Sequence, residues 1–436
     1  MQAAIRPSLT LRNLNRSSTL SFSLGVSIAV FTLIAIREWL PASIKIWHVM
    51  TAGAFALLVT GAITPKSAVK AIDWNVMLYL FSVFSIGRAL YENGISHRIA
   101  GWMVGWRTPG VSLVAFMLMF ALIAAVLTND AAAIIGTPIA LMLARQTGAD
   151  QRTFLIALCV TVTIGSMATP IGNPQNLLIA ASGQVPAPMI TFVHWLIVPT
   201  LICLGGSAFW LSRRMVVSTP SLEKADVAEE NGGVKWPVLL AIIVLVVLVT
   251  VESVLAATGS DFGYPLGVAA AIACLPVYLF DSARLKTFVR LDWPTLVFFV
   301  SMFIVTGALL NSGSLQTILG EEREHMSEPL VTAGISFFGS QIFSNVPLVD
   351  MYLKLMPSFD VPNLMMLAGI STLAGNVFII SAASNVIVLQ MADRMGAQEV
   401  TFTQFMKDVM PIGLVSTGIT VGWILLLEAH LSGKAF

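Results

Sequence analysis

Two polar, helix-breaking stretches interrupt long apolar runs in this chain, and they restrict what it can fold into more than any other feature. Thr128-Asn129-Asp130 sits in the middle of one run, and Thr169-Pro170-Ile171-Gly172-Asn173-Pro174-Gln175-Asn176 in the middle of another. The 436 residues are 56% hydrophobic and 11% charged, where a soluble domain carries about 25% charged residues. Such a chain must present apolar surface to lipid. In hydrocarbon an unpaired backbone group costs several kcal/mol, so a break persists only where it lines a cavity enclosed by protein. Two breaks close in sequence suggest one cavity. The pattern returns at Ser344-Asn345-Val346-Pro347 and at Gly375-Asn376 through Ser384-Asn385, as if one unit were present twice.

Spanning a bilayer takes ~20 apolar residues. By that ruler the first half has spans near 20–36, 46–63, 74–91, 153–182 and 190–211, and the second near 236–257, 263–280, 294–311, 363–391 and 408–429. Arg6, Arg12 and Arg16 before the first apolar run resemble a signal peptide, but no small-residue cleavage site follows, so 20–36 is read as a span. Between the third and fourth spans of each half lies a broken apolar block, 111–144 and 329–357. With a polar tip at its middle, each arm of 111–144 is expected to be short for a span, which makes a re-entrant hairpin. Two ordinary helices joined by an exposed turn are the bland alternative. The sequence supports a repeat directly. Ile72-Asp73-Trp74 and Leu291-Asp292-Trp293 open corresponding spans, and at that offset of 219 Ser82 matches Ser301, Phe84 matches Phe303 and Gly94 matches Gly313. Five spans per half is odd, so the second half is inverted relative to the first.

The expected fold is therefore an all-α polytopic membrane protein of two inverted repeats, each five spans plus a re-entrant hairpin. The first repeat covers 1–211, a cytoplasmic linker 212–235, and the second repeat 236–436. With both termini outside the cytoplasm, fifteen Lys and Arg fall in cytoplasmic loops and seven outside, the bias that membrane insertion favours. The first hairpin then enters from the cytoplasm and the second from outside. A net charge of +1 implies no nucleic-acid partner. Cys159, Cys203 and Cys274 lie in apolar segments without metal-ligand spacing and read as buried hydrophobes.

Broken helices expose half-helix N-termini suited to anions, and freed carbonyls with Asn and Thr oxygens suited to Na⁺. Gly165, Gly172 and Pro174 interrupt 153–182, and Gly375 interrupts 363–391. Asp130 is the sharpest single residue. An ionisable group at mid-depth costs at least ~2.5–3.5 kcal/mol and is functional by default, so it is assigned to a coupling cation or proton, with helix capping as the plain alternative. Asn173 and Asn176 bring donor and acceptor beside a proline that cannot donate. An interhelical amide clasp is the structural alternative. Asp350 and Lys354, four apart, read as a helical ion pair; Glu252 and Glu428 read as interfacial. The five histidines fall outside the breaks.

The tip Thr128-Asn129-Asp130 followed by Gly165 and Thr169 through Asn176 resembles the ion transporter superfamily, over residues ~20 to ~430. That group includes arsenite permeases, NhaD-type Na⁺/H⁺ antiporters, citrate–metal transporters and divalent anion/sodium symporters. In the divalent anion symporters the tips read Ser-Asn-Thr and help to bind Na⁺ and substrate carboxylate. Asn129 and Asn345 match that pattern; the third position does not. An acid at the first tip is closer to the arsenite-permease pattern and would repel a dianion unless neutralised. The resemblance also implies an elevator mechanism and a homodimer.

Together these readings point to a secondary active transporter for a small anion or oxyanion (carboxylate, sulfate-like or arsenite-like), coupled to Na⁺ or H⁺. Asn129, Gly172, Asn173, Asn176, Ser344, Asn345, Ser384 and Asn385 are assigned to substrate, and Thr128, Asp130, Gly165 and Asn376 to the coupling ion. No cofactor is expected beyond that ion, and no metal beyond Na⁺. A Na⁺/H⁺ antiporter is the alternative, with Asp130 as the exchange site. A channel or a membrane-embedded enzyme is less favoured. The sequence has no His-Glu-x-x-His, no Ser/His pair at membrane depth and no nucleotide-binding loop.

Overall fold

The computed structural model describes residues 9–36, 41, 43–103, 108–217, 235–260, 263–356, 359–378, 382–397 and 400–433. These residues are helical apart from turns, connections and one antiparallel bridge between Ala149 and Val217. In the first half, α1 (Leu9–Ala35), α2 (Ile46–Val59), α3 (Pro65–Ala71), α4 (Trp74–Glu92) and α5 (Ile95–Met103) precede a helical pair, α6 (Pro109–Val126) and α7 (Asn129–Thr147). Then come α8 (Gln151–Ser166), α9 (Pro174–Ala181) and α10 (Pro188–Arg214). The second half has α11 (Trp236–Ala257), α12 (Leu266–Phe280), α13 (Arg284–Val289), α14 (Trp293–Asn311) and α15 (Ser314–Leu319). A 3-10 segment (Gly320–Ser327) leads into the pair α16 (Pro329–Phe343) and α17 (Asn345–Leu355), followed by α18 (Val361–Leu373), α19 (Ala383–Arg394) and α20 (Phe402–Leu431).

The chain is an all-α polytopic membrane protein. Among the described residues five helices, α6, α10, α11, α14 and α20, are each long and apolar enough to cross a bilayer, and α3 with α4 forms a bent sixth. Arg12 and Arg16 fall inside α1, and Arg6 lies outside the described residues. Of the expected linker, 218–234 lies outside the described residues. Its first residues pair back onto the chain, with Asp150 N–H donating to the Val216 carbonyl at 3.0 Å.

The two Asp-Trp openings fold alike. Asp73 caps α4 by accepting from Val76 N at 3.1 Å, and Asp292 caps α14 by accepting from Thr295 N at 3.3 Å. Each following Trp returns its indole N–H to a carbonyl five residues back, Trp74 to Val69 at 3.3 Å and Trp293 to Phe288 at 3.0 Å. Each helix then packs across the halves, α4 on α12 and α14 on α2.

One expectation needs correction. The arms of the first pair are not short: α6 has 18 residues at mean hydropathy 2.3, and α7 has 19. The apolar run begins at Pro109 and reaches Val126 without interruption, while α7 extends past it into Arg145-Gln146-Thr147. The exposed turn of the bland alternative is not found, since Thr128, Asn129 and Asp130 are all buried. The second pair is shorter, with arms of 15 and 11 residues.

The two expected broken spans occupy the centre. Every residue of α8 from Phe154 to Ser166 and of α18 from Asn363 to Leu373 is buried, whereas α11 turns Leu239, Ile243, Val247 and Val254 outward. Lipid is as apolar as leucine, so helices here associate through close packing of small residues. Gly165 sits against the Ala121 backbone and Gly87 against Ala131. A Cβ at either position would come closer than 3.0 Å to its neighbour. The three cysteines are buried and free.

Candidate transport site

The first break is a loop, residues 167–173, between α8 and α9. Asn173 caps α9, its Oδ1 accepting from Asn176 N at 2.9 Å. Its Nδ2 points back, to the Ser166 carbonyl at 3.3 Å, Ser166 Oγ at 3.2 Å and Thr372 Oγ1 at 3.1 Å. Asn176 Nδ2 reaches the freed carbonyls of Ser166, Met167 and Thr169 at 3.3, 3.3 and 3.1 Å. These side chains do for the end of α8 what a fifth turn of helix would have done. Gly172 is glycine because the Ser166 backbone lies where a Cβ would be. Its carbonyl accepts from Asn129 N at 2.9 Å, which joins the first tip to the first break. Thr169 Oγ1 donates to the Ala125 carbonyl at 2.6 Å, a second tie to the same pair.

At that tip the capping work is done by Thr128, whose Oγ1 accepts from Ala131 N at 3.2 Å. Asn129 Oδ1 accepts from Asp130 N at 3.0 Å. Asp130 is thus not needed as the cap. It is 7% exposed, and its Oδ1 has no hydrogen-bond partner among the described residues. A buried carboxylate oxygen left unpaired is costly unless a cation or proton meets it.

The second break repeats the frame. Asn385 Nδ2 donates to the Gly375 carbonyl at 2.9 Å, across the same ten residues that separate Asn176 from Ser166. Gln341 Nε2 of α16 donates to the Ala374 carbonyl at 3.0 Å, tying the second pair to its break. Asn376 Nδ2 reaches across to the Val160 carbonyl of α8 at 3.4 Å. A Cβ on Gly375 would stand 3.4 Å from Asn345 Nδ2 and 3.7 Å from the Thr163 methyl, so the second tip, the second break and α8 converge there. The oxygens are treated differently from those of the first break. Asn345 Oδ1, Asn376 Oδ1, Ser384 Oγ and Asn385 Oδ1 are all buried without a partner among the described residues. Ser344 joins α16 to α17 at φ 70° and ψ 154°, a region that favours glycine and is kept by other residues mainly at functional sites. Residues 379–381, inside the expected fourth span, lie outside the described residues.

The assigned residues thus fall into three groups. Thr128, Asn129, Gly172, Asn173 and Asn176 form the bonded frame of the first break. Asp130, Asn345, Asn376, Ser384 and Asn385 carry the unpaired oxygens, with Ser344 beside them at the second tip. Gly165 stands apart, next to last in α8, where it admits the backbone of α6. The pairs cross over: α7 packs on α19, and α17 on α9. Asp350 and Lys354 form the expected ion pair at 2.7 Å, and Thr306 Oγ1 of α14 donates to the same carboxylate at 2.5 Å.

Sequence reasoning missed Thr372, whose Oγ1 accepts from Asn173 Nδ2 and from Gln175 Nε2 at 3.4 Å and lies 3.4 Å from Asn176 Oδ1. The offset of 209 that relates Asn176 to Asn385 also relates Thr163 to Thr372, and that alignment would have pointed to it. Among the described residues no group of three or more His, Cys, Asp or Glu could hold a metal ion. The unpaired amide, hydroxyl and carboxylate oxygens are hard donors of the kind that bind alkali and alkaline-earth cations.

Known proteins resemble this chain over most of its length. A transporter of Mycobacterium tuberculosis, itself uncharacterized, is 24% identical over 91% of this chain and 96% of its own. The silicon efflux transporter of Oryza sativa subsp. japonica is 24% identical over the same shares. The inner membrane protein YbiR of Escherichia coli is 28% identical over 76% of this chain and 82% of its own. The family model described as citrate transporter matches residues 31–360. With most of its length inside that model, the chain belongs to the citrate transporter family, within the ion transporter superfamily, and is a multi-pass membrane transporter.

Proposed function

We propose that this protein is a secondary active transporter for a small anion or oxyanion, coupled to Na⁺ or H⁺ and built as two inverted repeats over 1–211 and 236–436. The observation that carries the reading is the set of buried, unpaired oxygens at Asp130, Asn345, Asn376, Ser384 and Asn385. Unpaired oxygens at the contact of two broken helices suit a desolvated cation. The N-termini of α7, α9, α17 and α19 offer partial positive charge to an anion. In this reading the second break takes the coupling cation, Asp130 takes a proton or cation, and the anion sits against Asn129, Asn345 and the helix ends. The matching Asp caps, Trp returns and ten-residue Asn bonds support the repeat. The family resemblance supports an elevator movement of the two pairs and broken spans, in a homodimer with both termini outside.

Proteoliposome uptake under an imposed Na⁺ or H⁺ gradient tests it, with citrate, succinate, sulfate and arsenite in parallel, plus silicic acid because one relative exports silicon. Gradient-driven accumulation of an anion or oxyanion, lost in Asp130→Asn, is the expected result. The unpaired Asp130 oxygen also fits a Na⁺/H⁺ antiporter, in which the carboxylate exchanges the two cations. Cation-for-proton exchange with no anion dependence would establish that second reading and overturn the first.

A further inference from the structure

The C-terminal end of α4 carries a concentration of charge that is separate from the candidate transport residues. The Glu92 side chain, 4% exposed, is bonded by Lys286 Nζ at 2.6 Å, by Arg290 Nη1 at 3.4 Å and by Arg88 one turn back. Asn93 links this group to Asp281, donating to its Oδ2 at 2.9 Å, and Lys235 Nζ lies 3.6 Å from Asp281 Oδ1. Four cations thus surround two buried carboxylates, an excess of two positive charges. The acids face inward, while Lys235, Lys286 and Arg290 are about half exposed. Each cation is held in place from behind, so presenting its remaining N–H groups costs less entropy than ordering a free lysine.

The surroundings are apolar. Leu285 and Val289 flank Lys286 on α13 and are 75% and 72% exposed, and Phe280 is 59% exposed at the end of α12. Trp236 and Trp293 stand nearby with exposed rings, residues typical of the level of lipid headgroups. We propose that this face is a docking site for an anionic phospholipid. Its phosphate takes the free N–H groups of Lys286, Arg290 and Lys235, and its acyl chains cover Leu285, Val289 and Phe280. An acidic peptide would neutralise the cations but leave the apolar side chains uncovered. The lipid satisfies both. The corresponding elbow in the first half, α3, carries Lys66 and Lys70, but the positions that match Arg88 and Glu92 there are Gly307 and Asn311. With no acid at the position of Glu92, recognition is one-sided.

The test is a titration of the delipidated full-length protein in detergent with phosphatidylglycerol or phosphatidylcholine, bound lipid being counted by native mass spectrometry. Phosphatidylglycerol is expected to bind at least tenfold more tightly. Lys286→Gln with Arg290→Gln should weaken it about 30-fold, since each interfacial cation contributes about 1 kcal/mol, and leave phosphatidylcholine unchanged. Lys66→Gln with Lys70→Gln should change neither. If the double variant is polydisperse, Arg290→Gln alone should still lose about fivefold. Equal binding of the two lipids would overturn the proposal, as would a preference that survives the variants. So would a preference that appears only when Glu223, Asp226, Glu229 and Glu230 are replaced by Gln, because the linker ending at Lys235 would then be the occupant. The outcome is independent of which substrate is transported.

Discussion

The two breaks solve the same backbone problem and leave opposite chemistry behind. In each, an Asn ten residues downstream satisfies the carbonyl left open at the end of the first half-helix, Ser166 in one case and Gly375 in the other. In the first break the polar groups are then largely consumed. Asn176 also holds Met167 and Thr169, Asn173 is both cap and clasp, and the tip is bonded through Gly172. Its tip residue Thr128 has ordinary extended backbone at φ 171°. In the second break the amide nitrogens of Asn385, Gln341 and Asn376 each find one carbonyl, but four oxygens remain unpaired, next to a serine with strained backbone. A satisfied polar network in low dielectric is rigid, and an unsatisfied one is costly until something binds. The contrast assigns holding to the first break and binding to the second, with Asp130 Oδ1 as the buried unpaired oxygen that the first half's tip contributes among the described residues.

The largest effect should come from Asp130. Asp130→Asn keeps the shape and removes the charge, and coupled uptake should fall by about 100-fold, equivalent to about 2.7 kcal/mol. The melting temperature in detergent should stay within a few degrees, since Thr128 rather than Asp130 caps α7. Uptake near the wild-type rate would reduce Asp130 to a structural residue and place all binding in the second break.

Asn176→Ala should behave in the opposite way. It leaves the Met167 and Thr169 carbonyls without their side-chain donor and the Ser166 carbonyl with Asn173 alone, and leaving such groups unpaired should cost about 2 kcal/mol of stability. The expected result is a lower thermal midpoint and less folded protein, while the molecules that do fold keep an unchanged dependence on the coupling cation. A shifted cation dependence at normal stability would erase the distinction between the breaks.

Much of this was legible in the sequence, because a polar break in an apolar run and an Asp-Trp opening are local features with few physical outcomes. The spans near 74–91, 190–211, 236–257, 294–311 and 408–429, the ion pair of Asp350 with Lys354 and the buried cysteines follow from spacing and composition. The sharing of labour between the breaks was not legible. Asn173 and Asn176 look like ligands in a string of letters, since an amide's composition does not say whether backbone or ligand takes its bonds. Gly165 is the next-to-last residue of α8, and what the sequence does not show is the closeness to Ala121, a residue far away in the chain, that a Cβ there would forbid. Thr372 is marked only by its alignment with Thr163, because its partners Asn173 and Gln175 come from the other half.

Asn385→Ala sharpens the comparison from the other side. It removes one carbonyl bond and one unpaired oxygen. The half-saturating concentration of the coupling cation should rise about tenfold, equivalent to about 1.4 kcal/mol, with a smaller loss of stability than in Asn176→Ala. If the order of the two stabilities is reversed, the second break is the structural one.

The smallest effect is expected at Thr372, and it addresses whether the two breaks are independent at all. Its hydroxyl is the one contact described that carries the first break's amides onto α18, two turns of chain or less from the second break. All of its distances, 3.1 to 3.4 Å, are long for side-chain hydrogen bonds. Thr372→Val keeps the shape and removes the hydroxyl, so no cavity opens, and the loss should be about 1 kcal/mol or less. Asn173 Nδ2 retains the Ser166 carbonyl and hydroxyl, so the frame of the first break should stand. The melting temperature should drop slightly, Thr372→Ser should restore it, and cation dependence should not move. A shift in cation dependence as large as that of Asn385→Ala would mean that strain in the first break is felt at the unpaired oxygens of the second. Holding and binding would then be two aspects of one connected site.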